Sequence, residues 1–269
     1  MELSLREFHD IRDYIKKNYG ISMSDEKRSL IYSRLRSVIT THGFETFAEY
    51  FDYLKKDRSG EAAIVFINRI TTNHTFFMRE SDHFDFLRDT ALPWVEERFG
   101  AGKDLRLWCA ACSSGEEAYT LQIVAQEYFA NKPGWNIEIL ATDISEQVLT
   151  QASLGIYSNE SISSLPPEWK HKYFTKYDSD NMAVKESLKK LITFRKFNLM
   201  EERLPFRKPF HIIFCRNVMI YFDNDTREKL VNRLCAGMEP DGYFFIGHSE
   251  SLGSLKTNFR YVMPAIYQK

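Results

Sequence analysis

The sequence is poor in the residues that mark specialised protein classes. Its four cysteines, Cys109, Cys112, Cys215 and Cys235, are too few for a disulfide framework in 269 residues. Cys109 and Cys112 form a C-x-x-C, but no second C-x-x-C or C-x-x-H pair completes a zinc site. Both therefore read as small apolar residues in and just after a buried strand, and no metal site is expected. Only 12 glycines and 8 prolines argue against a low-complexity tract or a long unfolded tail. No apolar run approaches the roughly 18 residues of a membrane span. The opening Met1-Glu2-Leu3-Ser4-Leu5-Arg6 lacks the basic and then apolar order of a signal peptide, so a cytoplasmic protein without membrane insertion is expected. A formal net charge of -1 provides no whole-protein field for nucleic acid, and no strong basic patch replaces it.

What is present is patterned in two ways. Roughly the first 85 residues read as helices only: Leu5 to Asn18 ended by Gly20, Asp25 to Ile39, Phe44 to Lys55 after Gly43, and Glu61 to Arg69. In the second of these, Leu30, Ile31, Leu35, Val38 and Ile39 fall on one face. From about Phe84, short apolar runs alternate with helical stretches, which predicts a doubly wound α/β domain with a parallel sheet. The strand candidates are Leu105 to Ala111, Ile137 to Asp143, Ile192 to Asn198, Ile212 to Arg216, Tyr243 to Gly247 and Tyr261 to Tyr267. Helices are predicted at Glu116 to Phe129, Ser145 to Ser153 and Asp225 to Met238. The polar, proline-containing stretch from Tyr157 to Leu191 is too long for a connection and reads as an inserted subdomain.

Ligands of doubly wound sheets bind in the crevice beyond the carboxyl ends of the strands. The first strand runs into Cys112-Ser113-Ser114-Gly115-Glu116-Glu117, where small residues allow close backbone approach. Taken alone, this is equally well a tight turn with a serine N-cap. The second strand ends at Asp143, where nucleoside binders accept hydrogen bonds from ribose, although Asp143 could instead cap the next helix. The first turn has no G-x-G-x-x-G and carries two acidic side chains, which argues against a pyrophosphate and a nicotinamide enzyme. A carboxylate there suits the ammonium group of S-adenosylmethionine.

Taken together, these segments resemble the bacterial chemotaxis receptor methyltransferase (CheR) family. The matching runs are Thr71 to Glu80 (TTNHTFFMRE), Ala110 to Tyr119 (AACSSGEEAY), Ala141 to Ile144, Phe197 to Leu199, Cys215 to Phe222 (CRNVMIYF) and Gly247 to Glu250. They occur in order over essentially the whole chain. The resemblance implies an N-terminal all-helical domain with linker (1–83) and a Rossmann-like class I methyltransferase domain (84–269) carrying a small β-rich subdomain at about 157–191. It implies a cofactor site of Asn73, Thr75, Arg79, Glu117, Asp143, Asn198, Leu199, Asn217 and Val218. Of these, Glu117 would face the methionine end and Asp143 the ribose. His74, Met78, Cys109, Cys112 and Ala118 depart from the residues usual in the family without removing a polar group the site needs.

The implied reaction moves a methyl group from S-adenosylmethionine to glutamate carboxylates of methyl-accepting chemoreceptors, leaving S-adenosylhomocysteine. A glutamate with a pKa near 4.3 is already ionised, so no general base is needed. The resemblance places Arg79 and Tyr221 at the reacting centre. Lys27, Arg28, Arg34 and Arg36 could dock on an acidic helical receptor segment, or could be an ordinary solvated face. Some family members also hold a receptor's C-terminal pentapeptide on a glycine-containing hairpin. Tyr177 to Ala183 has no glycine, so weak or no tethering is expected, and the chain is expected to be a monomer. The rival readings are a methyltransferase for another substrate and a signalling module that binds the cofactor without turnover.

Overall fold

In the computed structural model, residues 2–71 and 74–269 are described. The chain divides into two compact units, 1–74 with 221–226, and 75–220 with 227–269.

The first unit is assembled largely by local rules. Helix α1 (Leu5–Tyr19) begins at Ser4, whose hydroxyl accepts the Glu7 N–H at 3.2 Å while the Glu7 carboxylate accepts the Ser4 N–H at 2.9 Å. That reciprocal pair satisfies donors that the first helical turn leaves without partners. The helix stops at Gly20, whose φ of 74° is costly for any residue with a Cβ. After a 3-10 turn at Asp25–Lys27 come α2 (Arg28–Thr41), α3 (Phe47–Lys56) and α4 (Glu61–Ile70). A second capping box, from Thr46 and Glu49, opens α3. Phe8, Ile11, Leu35, Val38, Phe47, Leu54 and Phe66 are among the buried side chains of this bundle. Leu30 departs from the sequence expectation and is 43% exposed. One residue of helix turns the side chain by about 100°, which carries Leu30 off the face that Ile31 buries. Arg34 is also diverted, since its Nη1 donates to the Ile70 carbonyl at 2.8 Å and so satisfies the open end of α4. Residues 221–226 join this unit through the Ser22 N–H donated to the Tyr221 carbonyl at 2.8 Å, an Ile21 to Phe222 bridge, and Lys16 against Asp223 at 2.7 Å.

The second unit opens with α5 (Asp82–Phe86), a π-turn at Leu87–Ala91 and α6 (Leu92–Phe99), a helical run absent from the sequence reading. Pro93, near the start of α6, cannot donate to the carbonyl four residues back, and the wider π-turn lies at that break. The sheet unit continues with β1 (Asp104–Ala110), α7 (Glu116–Phe129), β2 (Asn136–Asp143) and α8 (Glu146–Leu154). The inserted region comprises β3 (Ile156–Ser158), α9 (Pro167–Tyr173), β4 (Phe174–Lys176), β5 (Asn181–Val184) and α10 (Glu186–Lys189). It forms its own three-stranded sheet in the order β3-β5-β4. The chain then returns through β6 (Ile192–Lys196), β7 (Phe210–Phe214), α11 (Asn224–Ala236), β8 (Met238–Phe245), β9 (Arg260–Met263) and β10 (Ile266–Gln268).

The main sheet has the order β6-β2-β1-β7-β8-β10-β9. Pairing from β6 to β8 is parallel, and the last two strands are antiparallel. Every residue of β7 is buried, as expected for a parallel strand covered on both faces. Phe214 stacks on Phe245 with ring centroids 4.0 Å apart, and each such buried ring stabilises the fold by about 1.5–3 kcal/mol. Two boundaries differ from the sequence expectation. The predicted terminal strand is a hairpin broken at Pro264 and Ala265, where the missing proline N–H and a φ of 62° at Ala265 end the ladder. The last helix stops at Ala236, and Met238 starts β8. Among the described residues no helix is long and apolar enough to cross a membrane.

Candidate active site

The topology fixes where a ligand can enter. From β1 the sheet runs through β2 to β6 on one side and through β7 to β8 on the other, so the strand order reverses between β1 and β7. The carboxyl ends of β2, β1 and β7 therefore flank a switch-point crevice. A shallow depression between Glu96, Lys103, Lys132 and Trp135 lies instead by the amino end of β1, away from that crevice.

After β1 the chain turns at Ala111 (φ 75°) and Ser113 (φ 50°) and enters α7 at Gly115. A Cβ on Gly115 would meet the Ala152 Cβ at 2.8 Å and the Tyr157 hydroxyl at 2.9 Å, so only glycine lets the turn pack this closely. Glu116 and Glu117 then diverge. Glu116 is buried against the Ser114 hydroxyl at 2.8 Å, and burial pushes its carboxyl up. Glu117 instead faces Arg216, whose Nη1 donates to it at 2.8 Å, and accepts the Cys109 thiol at 3.2 Å. Cys109 is thus more than filler in the strand, although burial holds its thiol well above the ordinary range.

Asp143 ends β2. One of its oxygens accepts the Ser113 N–H at 2.9 Å and the other the Ser145 N–H at 3.0 Å, locking the β1 and β2 turns together. Burial pushes its carboxyl up while those N–H groups pull it down. The N-cap of α8 is Ser145, so Asp143 braces the turn rather than capping the helix, and each of its oxygens can still accept a further hydrogen bond. Asn198 and Leu199 follow β6, and the Asn198 side chain accepts the Met200 N–H at 2.9 Å.

Beyond β7, Arg216 is buried while Asn217 and Val218 are half-buried. Asn217 adopts φ 57° and donates its N–H to Glu250 at 2.9 Å. Glu250 also accepts the N–H groups of Gly247 (2.6 Å) and Ile220 (3.2 Å), and so clamps the loops after β7 and β8. A Cβ on Gly247 would lie 2.2 Å from the Asn217 Nδ2, which explains the glycine.

The segment carrying Thr75 and Arg79 is anchored by Phe77, which is fully buried edge-on against Tyr157 (4.9 Å) and Phe174 (5.8 Å). Its carbonyl accepts the Ser164 hydroxyl at 2.9 Å. Met78 (φ 60°) and Glu80 (φ 57°) bracket Arg79 in a conformation costing about 1–3 kcal/mol per residue, which surrounding contacts must sustain. The Arg79 guanidinium lies over the half-exposed Phe76 ring at 5.9 Å. Thr75, Arg79, Glu117 and Asn217 therefore belong to the same unit as Asp143 and Asn198, whereas Tyr221 clusters with the helical unit. Asn73 lies outside the described residues.

Sequence reasoning gave no role to Glu80 or Arg216. The Arg216 side chain is 1% exposed, and its Nη2 reaches Glu80 at 3.0 Å and the Arg79 carbonyl at 2.6 Å. Burial acts to raise the Glu80 carboxyl, but the Arg216 charge with the Asn217 and His248 N–H donors outweighs it and holds the group below its ordinary range. The clue in the sequence is an arginine directly after the apolar run Phe210 to Cys215, since a charge that deep requires a partner. Glu80, His83 and His248 also converge as a metal centre would. Glu80 is already engaged there by Arg216, by the His248 N–H at 3.1 Å and by Asn217 at 3.2 Å, and the guanidinium opposes a second cation.

This order of segments around the crevice has a family counterpart. The CheR methyltransferase SAM binding domain matches residues 73–267, and the CheR methyltransferase all-alpha domain matches 6–71. The chain belongs to the CheR methyltransferase family. It is 45% identical over 258 residues to the chemotaxis protein methyltransferase of Borreliella burgdorferi, covering 95% of this chain and 91% of that one. Identity is 36% over 264 residues to chemotaxis protein methyltransferase 2 of Pseudomonas aeruginosa (97% and 92% covered). It is 34% over 271 residues to the chemotaxis protein methyltransferase of Escherichia coli (99% and 92%). As a member of that family, the chain is an S-adenosylmethionine-dependent methyltransferase. Its own residues suit that cofactor: an acid at the end of β2 and another in the first turn of α7 for hydroxyl and ammonium groups, no G-x-G-x-x-G in the sequence after β1, and a Gly115 turn that brings backbone close to the crevice.

Proposed function

We propose that this methyltransferase esterifies glutamate side chains on the cytoplasmic helical region of bacterial chemoreceptors, producing glutamyl methyl esters and S-adenosylhomocysteine for sensory adaptation. The observation that carries this reading is a match that runs through the helical unit as well as the cofactor unit, so the chain shares more with its chemotaxis-named relatives than a methyltransferase fold. It would work in the cytoplasm as a monomer.

The bound cofactor supplies a methyl group on a positively charged sulfur. Asp143 would hold the ribose hydroxyls, Glu117 the ammonium group, and Asn198, Leu199, Asn217 and Val218 the adenine and adjoining parts. Asn73 and Thr75 would complete the site from the linker side. The acceptor carboxylate arrives ionised, so the protein's task is to position it and exclude water. Arg79, with 27% of its side chain exposed, offers a cation to that carboxylate, and the Tyr221 hydroxyl offers a donor. Arg79→Ala and Tyr221→Phe should each lower turnover about a hundredfold in a folded protein. Full activity in either variant removes that residue from the mechanism.

Receptor docking would use Lys27, Arg28 and Arg36. Arg34 is committed to the end of α4 and contributes less. Activity should therefore fall as salt rises. At the subdomain hairpin, Asp178 accepts the N–H groups of Asp180 and Asn181, both at 2.8 Å, closing the tip without glycine. A receptor C-terminal pentapeptide should bind weakly or not at all in calorimetry.

The test of the reaction is transfer of labelled methyl groups to receptor-containing membranes. Alkali-labile label that S-adenosylhomocysteine blocks is expected. Absence of label from a chain that binds the cofactor would overturn the receptor assignment.

A further inference from the structure

Resting on the reading of Glu117 as the partner of the cofactor's ammonium group, we propose that Arg216 is a positioning residue that ties the Glu117 carboxylate to the segment carrying Arg79. One guanidinium serves three acceptors: Nη1 lies 2.8 Å from Glu117, and Nη2 lies 3.0 Å from Glu80 and 2.6 Å from the Arg79 carbonyl. These acceptors come from separate stretches of chain, the start of α7 and the turn before α5. The planar fork of arginine can hold both at a fixed mutual angle, which the single ammonium of lysine cannot do. The rings of Phe84 and Phe214 lie 5.6 and 6.0 Å from the guanidinium carbon, shielding the pairs from water.

The ion pairs of this network reach Arg79 itself. Two carboxylates lie around Arg216, and Glu80 also pairs with the Arg79 Nε at 3.9 Å, so the two acids face two guanidiniums where little water screens them. The second oxygen of Glu117 meets the Cys109 thiol, a weak donor. An incoming ammonium group would supply a stronger, charged donor to that oxygen. Arg216 in turn supports the backbone around Arg79, where Met78 and Glu80 need outside support for their positive φ. Glu117, held by the same guanidinium, is thereby set in register with the segment carrying Arg79.

The test uses the full chain with Arg216→Lys, Glu117→Gln, Glu80→Gln and the double variant Arg216→Lys/Glu117→Gln. S-adenosylhomocysteine affinity is measured by calorimetry, KM and kcat on receptor-containing membranes, and folding by thermal unfolding. Arg216→Lys should lower both S-adenosylhomocysteine affinity and kcat by about tenfold. Glu117→Gln should act mainly on affinity and KM, and Glu80→Gln mainly on kcat. The double variant should bind no more weakly than Glu117→Gln alone, because Arg216 acts on the cofactor through Glu117. A folded Arg216→Lys protein with affinity and kcat both within about twofold of the parent overturns the proposal. If Arg216→Lys does not fold, Glu80→Gln decides: reduced kcat with retained affinity supports the coupling, and unchanged kcat overturns it. If Glu117→Gln leaves affinity intact, the reading of Glu117 falls and takes the proposal with it. The calorimetric arm needs no methyl acceptor, so it stands apart from the choice of receptor glutamates.

Discussion

The helical unit and the cofactor crevice are built on opposite scales of sequence separation. In the helices, the decisive contacts join residues three or four apart, as in the Ser4 and Glu7 or Thr46 and Glu49 boxes. In the crevice, Arg216 meets Glu117 from 99 residues away, and His248 meets Glu80 across 168. Local rules therefore suffice to foresee the first region, whereas the second exists only once the sheet has assembled. Deleting a local contact should cost a little stability and no chemistry. Deleting a crevice contact should cost function.

The largest expected effect is on the crevice side. Asp143→Ala should weaken S-adenosylhomocysteine binding by about a hundredfold in calorimetry, since it removes a charged acceptor and loosens two turns at once. Binding that survives this change would break the contrast. Phe77→Ala comes next and should cost about 3–5 kcal/mol in denaturant unfolding, because the ring fills a fully buried space between Tyr157 and Phe174.

Acid should then distinguish the regions. Burial, followed by the Arg216 charge, depresses His83 to about 4, and burial with Arg106 depresses His211 to about 3, both from 6.5. Each is neutral when folded and protonates more readily when unfolded, so the stability it contributes is present above pH 6.5 and is lost as pH falls toward the folded values. Between pH 7 and 5 the loss should be about 2 kcal/mol per histidine. The raised carboxyls of Glu116, Asp143 and Glu250 oppose it in part. Urea midpoints that stay level or rise on acidification would contradict this. The smallest effect belongs to the caps: Ser4→Ala and Thr46→Ala should each cost about 1 kcal/mol and leave S-adenosylhomocysteine affinity unchanged.

The same contrast explains what could be read from the sequence. Helices of the first unit, the strands around Trp108 and Ile213, and the acidic strand end at Asp143 all follow from periodicity and position. The π-turn before Pro93 and the break at Pro264 and Ala265 were hidden because they depend on single backbone groups within otherwise regular patterns. Leu30 obeyed the apolar pattern yet faces water, since pattern marks a face and not its edges. Arg216 and Glu80 stood inside recognisable motifs, but their roles arise from pairings that only the fold creates. The likeness to the CheR family directed attention to Glu117. The structure shows how the two neighbouring acids differ: Glu116 is held by Ser114, and Glu117 by a buried arginine on the neighbouring strand end.

The most direct measurement is the crystal structure of this chain with S-adenosylhomocysteine bound. The account predicts ribose hydroxyls on Asp143, the ammonium group on Glu117, and Arg216 still joining Glu117 to the Arg79 backbone. A ligand seated away from the ends of β1, β2 and β7, or an ammonium group on Glu116, would contradict it.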